Sequence, residues 1–221
     1  MSTLVLWTFI FSTCFADDLS VSDKLKVDLY KDLSSAHRSL TYKQANEILF
    51  TKLNQTSNEI CSVYTSKLCA PNNEIPSPKI MNIEHTWPQS TGANGVAKSD
   101  LHHLFPVDSP TNSIRSSLPF CEVVESKWDN GESKRGFNSF KEHCFEPPMR
   151  HKGNVARALF YFSVRYQMPI DDNQETYLRK WHIQDPIDQD EIDRNNKIKS
   201  FQNNSNPFIE NPDLVEQIQN F

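Results

Sequence analysis

The chain lacks any surplus of positive charge. Its formal net charge is −5, so it carries no general polycationic surface of the kind that holds polyanions by charge alone. Glycine is scarce, at 5 of 221 residues, and the 13 prolines are scattered, which excludes Gly-rich linkers and low-complexity tracts. No internal period recurs, which excludes a repeat architecture. Beyond residue 16 no apolar run is long enough to span a bilayer. No Cys-x-x-Cys pair and no His-Glu-x-x-His helix occurs, so the commonest zinc sites have no footing. What remains is a chain long enough for one sizeable core. With no linker visible, residues 17–221 are expected to form one domain.

The charge is unevenly placed. Residues 181–221 carry 8 acidic and 3 basic side chains, whereas residues 115–180 carry 9 acidic and 11 basic. Acidity is thus concentrated at the C-terminal end, and a local basic cleft elsewhere is allowed. Residues 1–16 read as a cleaved signal peptide. Leu4 to Phe11 is nearly all apolar, and Cys14-Phe15-Ala16 places small residues before a polar start at Asp17-Asp18. The usual positive start is missing, since no Lys or Arg lies between Met1 and Ala16. Export leaves Cys61, Cys69, Cys121 and Cys144, which suit two disulfides in an oxidising compartment. Local pairing, Cys61–Cys69 and Cys121–Cys144, closes two short loops worth about 2.5 and 3.5 kcal/mol in the loop-entropy model.

Apolar spacing predicts helices over Ser22–Leu33 and after Thr41, where Thr41-Tyr42-Lys43-Gln44 fits a capping box. Ile60 to Leu68 reads as an irregular segment closed by its cysteines. Lys79 to Ile83 has strand character and delivers Glu84-His85. Ser90 to Lys98 reads as a flexible polar hairpin tip, and Leu101 to Phe105 as the returning strand. Ser109-Pro110 starts a helix bearing Asn112 and Arg115. Cys121 to Cys144 reads as a hairpin turning at Asp129-Asn130-Gly131. Gly153 to Tyr166 is the strongest helix, with a stripe of Val155, Ala158, Leu159 and Phe162 and with Arg157 and Arg165 off it. Thr176–Ile183 and Asp188–Phe201 are further helices.

Between residues 84 and 115 the chain assembles a carboxylate (Glu84), an adjacent imidazole (His85), a distal carboxamide (Asn112) and a guanidinium (Arg115). One carboxylate and one amide oxygen suffice for a hard cation such as Mg²⁺, which keeps several waters. An imidazole suits general-base work at neutral pH, with a midpoint expected near its unperturbed value of about 6.5. An arginine suits a phosphate. Strand alternation sends Glu84 and His85 to opposite faces, so a shared site needs a bend, which Trp87-Pro88 can supply.

The order and spacing of these residues resembles the endonuclease I family, periplasmic and secreted bacterial nucleases of the ββα-metal (His-Me finger) superfamily. The matching motifs are Glu84-His85, then Asp100-Leu101-His102-His103-Leu104, then Asn112 and Arg115-Ser116. Phe145-Glu146-Pro147-Pro148, Gly153-Asn154-Val155-Ala156-Arg157-Ala158, Trp181, Asp185-Pro186 and Asn206-Pro207-Phe208-Ile209 extend the likeness to about residues 40–215. The resemblance implies an α+β, mostly helical domain around a ββα-metal motif. It implies that Glu84 and Asn112 bind Mg²⁺, with Mn²⁺ or Ca²⁺ as substitutes, and that His85 is the base, oriented by the carbonyl of Lys98. Arg115 becomes a phosphate clamp or a helix anchor, Lys98 and Arg157 candidate nucleic-acid contacts, and Asp100 and His102 supporting residues.

The implied function is an exported, monomeric, Mg²⁺-dependent endonuclease, secreted or periplasmic and with no membrane attachment once mature. It would cleave DNA and also RNA with little sequence preference, because contacts to phosphate alone do not read bases. The alternatives are a non-catalytic nucleic-acid binder or effector retaining the fold, and a zinc peptidase built on His85, His102 and His103. One departure stands out. Better-known members carry a long cysteine-containing insertion with a phosphate-binding arginine between the two hairpin strands. Here fourteen residues separate His85 from Asp100 and Lys98 is their sole cation. The cation that meets the transition state is therefore open among Arg115, Arg157 and Lys98.

Overall fold

The computed structural model describes residues 19–53 and 58–221. The expected signal segment, with Cys14, lies outside the described residues. Helices α1 (Val21–Ala36) and α2 (Tyr42–Thr51) come first, followed by a short hairpin of β1 (Glu59–Cys61) and β2 (Cys69–Pro71). Strands β3 (Met81–His85) and β4 (Leu104–Asp108) lead into α3 (Ser109–Arg115). A three-stranded sheet of β5 (Glu125–Asp129), β6 (Lys134–Phe137) and β7 (His143–Glu146) precedes the long α4 (Met149–Tyr166). The chain ends in α5 (Asp172–Gln184), α6 (Gln189–Gln202) and the short α7 (Pro207–Glu210) and α8 (Leu214–Gln217). The fold is α+β and mostly helical, as expected.

All three sheets are antiparallel. β3 and β4 pair from Met81↔Asp108 to His85↔Leu104, and α3 follows without a loop, which is the ββα unit expected from the motifs. The α3 start is fixed by Asp108, whose side chain accepts from Thr111 N at 2.9 Å, with Pro110 in the first turn where its missing N–H costs nothing. The Thr41 capping box is present in full, with Gln44 returning the bond.

Both disulfides form as expected, Cys61–Cys69 and Cys121–Cys144. Three readings change. The segment from Ile60 to Leu68 is not irregular at its ends, because the Cys61–Cys69 bridge aligns Glu59–Cys61 with Cys69–Pro71 as a ladder. The Cys121–Cys144 region is a three-stranded sheet rather than a single hairpin. The loop from Ser90 to Lys98 is not a flexible tip. It is wound into 3₁₀ turns at Gln89–Thr91 and Ala97–Ser99, buries Ala93 and Ala97, and is closed by the Trp87 indole donating to Thr91 O at 3.1 Å. Gly92 takes φ +130° there, which an L side chain adopts only under strain.

Helix α4 is the axis of the molecule. Instead of a stripe it buries nearly every residue from His151 to Val164, because α1, α5, α7 and the turn at Leu101–His103 surround it. A second cluster joins α2, β1, β3, β4 and α6 through Leu49, Ile60, Ile83, Leu104 and Ile198. Burial corrects the assignment of Arg157 as a nucleic-acid contact. Its guanidinium is 1% exposed and bidentate to Glu191, at 2.7 and 2.6 Å, and Nη1 also donates to Asp185 O at 3.0 Å. A charge on a helix enclosed on all sides persists only when paired. We expect Arg157→Met to destabilise the fold by about 3–5 kcal/mol by stranding Glu191, and Arg157→Met with Glu191→Leu to recover most of that loss. Urea denaturation of the two variants measures it, and equal losses would contradict the pairing argument.

Candidate active site

The site is built on the end of β3. Glu84 is 1% exposed, and one of its oxygens is held from two sides. The Tyr64 hydroxyl donates to Oε1 at 2.9 Å, and Arg115 Nη1 lies 3.0 Å from the same atom. Oε2 has no protein partner among the described residues. Burial pushes the Glu84 carboxyl up, while the Arg115 guanidinium and the Tyr64 hydroxyl pull it down.

Tyr64 comes from the disulfide-closed hairpin. That hairpin is stapled to β4 by Val63 N donating to Pro106 O and by Ser62, whose hydroxyl donates to Asp108 Oδ2 at 2.9 Å. Sequence reasoning missed Tyr64. The signal for it was a tyrosine inside the short loop between Cys61 and Cys69, and no periodicity marked it.

Arg115 is an anchor. It is 2% exposed, donates from Nη1 to His85 O at 3.1 Å and from Nη2 to Thr86 O at 2.8 Å, and lies over the Phe120 ring. Of its two expected roles, phosphate clamp and helix anchor, this geometry supplies the second, since the guanidinium faces inward. Asn112, one turn earlier on α3, is half-buried. Its Nδ2 donates to Asn82 Oδ1 at 2.8 Å and to Ile83 O at 3.2 Å, which turns the carboxamide so that Oδ1 is left without a protein partner among the described residues.

His85 is the last residue of β3, after which the chain leaves the ladder for the Gln89–Thr91 turn. Its Nε2 lies 3.0 Å from Lys98 O. A carbonyl only accepts, so Nε2 carries the proton and Nδ1 keeps its lone pair, with the Gln89 amide 3.4 Å away. Tyr42 stacks on the imidazole at 6.0 Å and 17°, and His103 meets it edge-on at 5.6 Å. Burial foremost, then His103, drives the His85 pKa down to about 3. The midpoint near 6.5 expected from the isolated residue is therefore corrected: the metal-free ring is neutral throughout the physiological range.

The remaining expected residues are structural in placement. Asp100 is fully buried and accepts from Tyr161 and Tyr166 hydroxyls at 2.7 and 2.8 Å, from the Gln202 amide at 2.9 Å and from His102 N at 3.1 Å. Burial would raise its carboxyl, but the imidazoles of His102, His37 and His103 and the Gln202 amide outweigh this and hold it below the usual range. It pins the Leu101–His103 turn to α4 and α6. His102 Nε2 lies 3.1 Å from Asn204 O, and His103 Nε2 lies 2.7 Å from Ala97 O. With His85 on Lys98 O, the three imidazoles are committed to three different carbonyls. That leaves the zinc-peptidase reading without a converging ligand set. The one metal-like cluster of His, Cys, Asp and Glu among the described residues, Glu59 with Cys61 and Cys69, has both sulfurs in a disulfide.

The chain matches the family model described as Endonuclease I over residues 21–213. It belongs to the endonuclease I family. The extracellular ribonuclease of Bacillus amyloliquefaciens is 33% identical over 220 residues, covering 88% of this chain and 73% of that protein. The extracellular ribonuclease of Bacillus subtilis strain 168 is 30% identical over 226 residues, covering 89% and 74%. An extracellular deoxyribonuclease of Aeromonas hydrophila is 33% identical over 118 residues, covering 51% and 49%. This endonuclease I family member is thus a nuclease, and it groups with exported enzymes. Among its described residues no helix is long and apolar enough to cross a membrane.

Buried neutral histidines give the enzyme an acid liability. Burial holds His85 and His151 at about 3 and His102 at about 4 in the folded state. The unfolded chain protonates the same rings near 6.5, so it binds more protons than the folded chain between those limits. Stability is then greatest above pH 6.5 and falls as pH drops toward 4, by up to about 1.4 kcal/mol per pH unit for each ring. Urea midpoints at pH 7, 6 and 5 should decrease in that order. An unchanged midpoint would mean that the rings titrate normally when folded.

Proposed function

We propose that this chain is an exported endonuclease that hydrolyses phosphodiester bonds in DNA and RNA with a divalent cation, Mg²⁺ foremost, held by Glu84 and Asn112. The observation that carries this reading is the pair of unpartnered oxygens. Glu84 Oε1 and Asn112 Nδ2 are tied down, and Glu84 Oε2 and Asn112 Oδ1 are left over, both of them the hard donors such a cation prefers. When bound, the cation would stabilise charge on the phosphoryl oxygens and the leaving 3′ oxygen.

The protein's own groups supply the rest. His85, with Nε2–H on Lys98 O, presents an unprotonated Nδ1 to take a proton from the attacking water. Burial keeps the ring unprotonated, so the Nδ1 lone pair is free at neutral pH. Arg115 ties the His85 carbonyl to the Glu84 carboxylate, so base and ligand keep their relative placement. In-line attack with departure of the 3′ oxygen leaves 5′-phosphate and 3′-hydroxyl ends. Recognition through phosphate favours low sequence preference. The two extracellular ribonucleases and the deoxyribonuclease among the relatives support a substrate range that spans RNA and DNA.

The deciding assay incubates supercoiled plasmid and a structured RNA with Mg²⁺ or with EDTA. Cleavage of both with Mg²⁺ alone is expected, and cleavage that survives EDTA would remove the reading. His85→Ala should lower kcat by about 10²–10⁴-fold without changing the Mg²⁺ concentration needed for half-activity. Asn112→Ala should instead raise that concentration and regain rate at higher Mg²⁺. It is a cleaner probe than Glu84→Ala, which also strands Arg115 in the interior. A rate for Asn112→Ala that no Mg²⁺ concentration improves would argue against its role as a ligand.

A further inference from the structure

The site as described has a base and two metal oxygens, yet no cation aimed at the substrate. Arg115 is neutralised by Glu84 and turned inward, and Arg157 by Glu191. Arg194 is half-buried and its Nη2 is committed to Leu101 O and Leu104 O at 2.7 and 2.6 Å. The residue that departs from this pattern is Lys98. Its peptide lies in the Ala97–Ser99 turn, whose flanking residues Ala97 and Ser99 are both buried, so the backbone there is fixed. The carbonyl of that peptide turns toward His85 Nε2 at 3.0 Å, while the side chain runs outward to place Nζ over the Tyr42 ring, 4.9 Å from its centroid. The same Tyr42 ring stacks on His85. Among the described residues Lys98 has no carboxylate partner.

Tyr42 is itself held in place. It is the first residue of α2, immediately after Thr41, whose capping box locks the helix entry. It is also 41% exposed, an uncommon state for a ring that touches two site residues. An aromatic face attracts an ammonium without neutralising it. A carboxylate in the same position would cancel the charge and compete with phosphate for it.

We propose that Tyr42 is a positioning residue of the active site, holding the Lys98 ammonium beside His85 as the cation that receives the substrate phosphate. The proposal rests on the nuclease reading above and deepens it. Lys98 then serves twice: its carbonyl sets the His85 tautomer, and its side chain meets the phosphate that His85's water attacks.

The test is a double-mutant cycle on Tyr42 and Lys98 with plasmid DNA and Mg²⁺, with circular dichroism and thermal melts to confirm folding. Wild-type activity that requires Mg²⁺ is the control for the nuclease reading; its absence would sink that reading before this one is reached. Lys98→Met, which keeps the carbonyl, should lower kcat/KM by about a hundredfold and flatten its log–log dependence on salt by about 0.9, the loss of one phosphate contact. Tyr42→Ala should lower kcat/KM by about tenfold, and Tyr42→Phe, which keeps the aromatic face, by no more than about twofold. In the Lys98→Met background Tyr42→Ala should cost nothing further, because its role passes through the ammonium. Three outcomes overturn the proposal: an unchanged salt slope in Lys98→Met, a full tenfold loss from Tyr42→Ala in the Lys98→Met background, or a loss in Tyr42→Phe equal to that in Tyr42→Ala. The second would assign Tyr42 to packing against His85, and the third would assign the effect to its hydroxyl.

Discussion

The buried contact between Arg115 and Glu84 is the constraint on which the site depends. One guanidinium, supplied by the last residue of α3, reaches the Glu84 carboxylate and the carbonyls of His85 and Thr86. It thereby locks the helix of the ββα unit to the strand that carries the chemistry. An isolated charge in that place would be prohibitive, and the pair is tolerated because the guanidinium also satisfies two carbonyls and the carboxylate also accepts from Tyr64. The cost of this arrangement is functional: an arginine committed inward is unavailable to the substrate.

The consequences spread through the molecule. Because Arg115 and Tyr64 hold one oxygen of Glu84, the other is left without a protein partner among the described residues. Because α3 is fixed, the Asn112 amide nitrogen falls on Asn82 and Ile83 and its oxygen is left in the same state. Tyr64 reaches Glu84 only because the Cys61–Cys69 hairpin is closed and stapled to β4. The disulfide therefore acts on the site through one hydroxyl rather than through any reactivity of its sulfurs. Behind the second strand, Asp100 gathers two tyrosines and a glutamine and anchors the Leu101–His103 turn to α4 and α6. That network holds the loop whose Lys98 carbonyl sets the tautomer of His85.

Burial does not distinguish the imidazoles near the motif. Seven histidines occur in the chain, and the sequence offers three of them, His85, His102 and His103, near the motif. All three are enclosed and neutral, so protonation state does not separate them. Hydrogen bonding does not either, since each faces a carbonyl. Position separates them: His85 ends β3 beside Glu84 and an exposed tyrosine, whereas His102 and His103 face α4 through Tyr161 and Phe162.

Much of this was legible in the residues themselves. The capping box, the Pro-started α3, both disulfide pairings and the α+β class followed from local rules, because caps, turns and short loop closures depend on neighbours in sequence. The order Glu84-His85, Asp100, Asn112, Arg115 was enough to indicate the family. Other features belonged to the tertiary structure alone. Arg157 read as a surface cation until α5 and α6 enclosed it with Glu191. The Ser90–Lys98 loop read as mobile until Ala93 and Ala97 were buried and its turns tightened. Tyr64 and Tyr42 carried no periodic mark in the sequence, since each reaches the site from a segment some twenty to forty residues away. Sequence by itself determined which chemical groups were available and in what order. Only the packed structure decided which charges are buried and paired and which stay unpaired, because burial and pairing are set by residues distant in the chain.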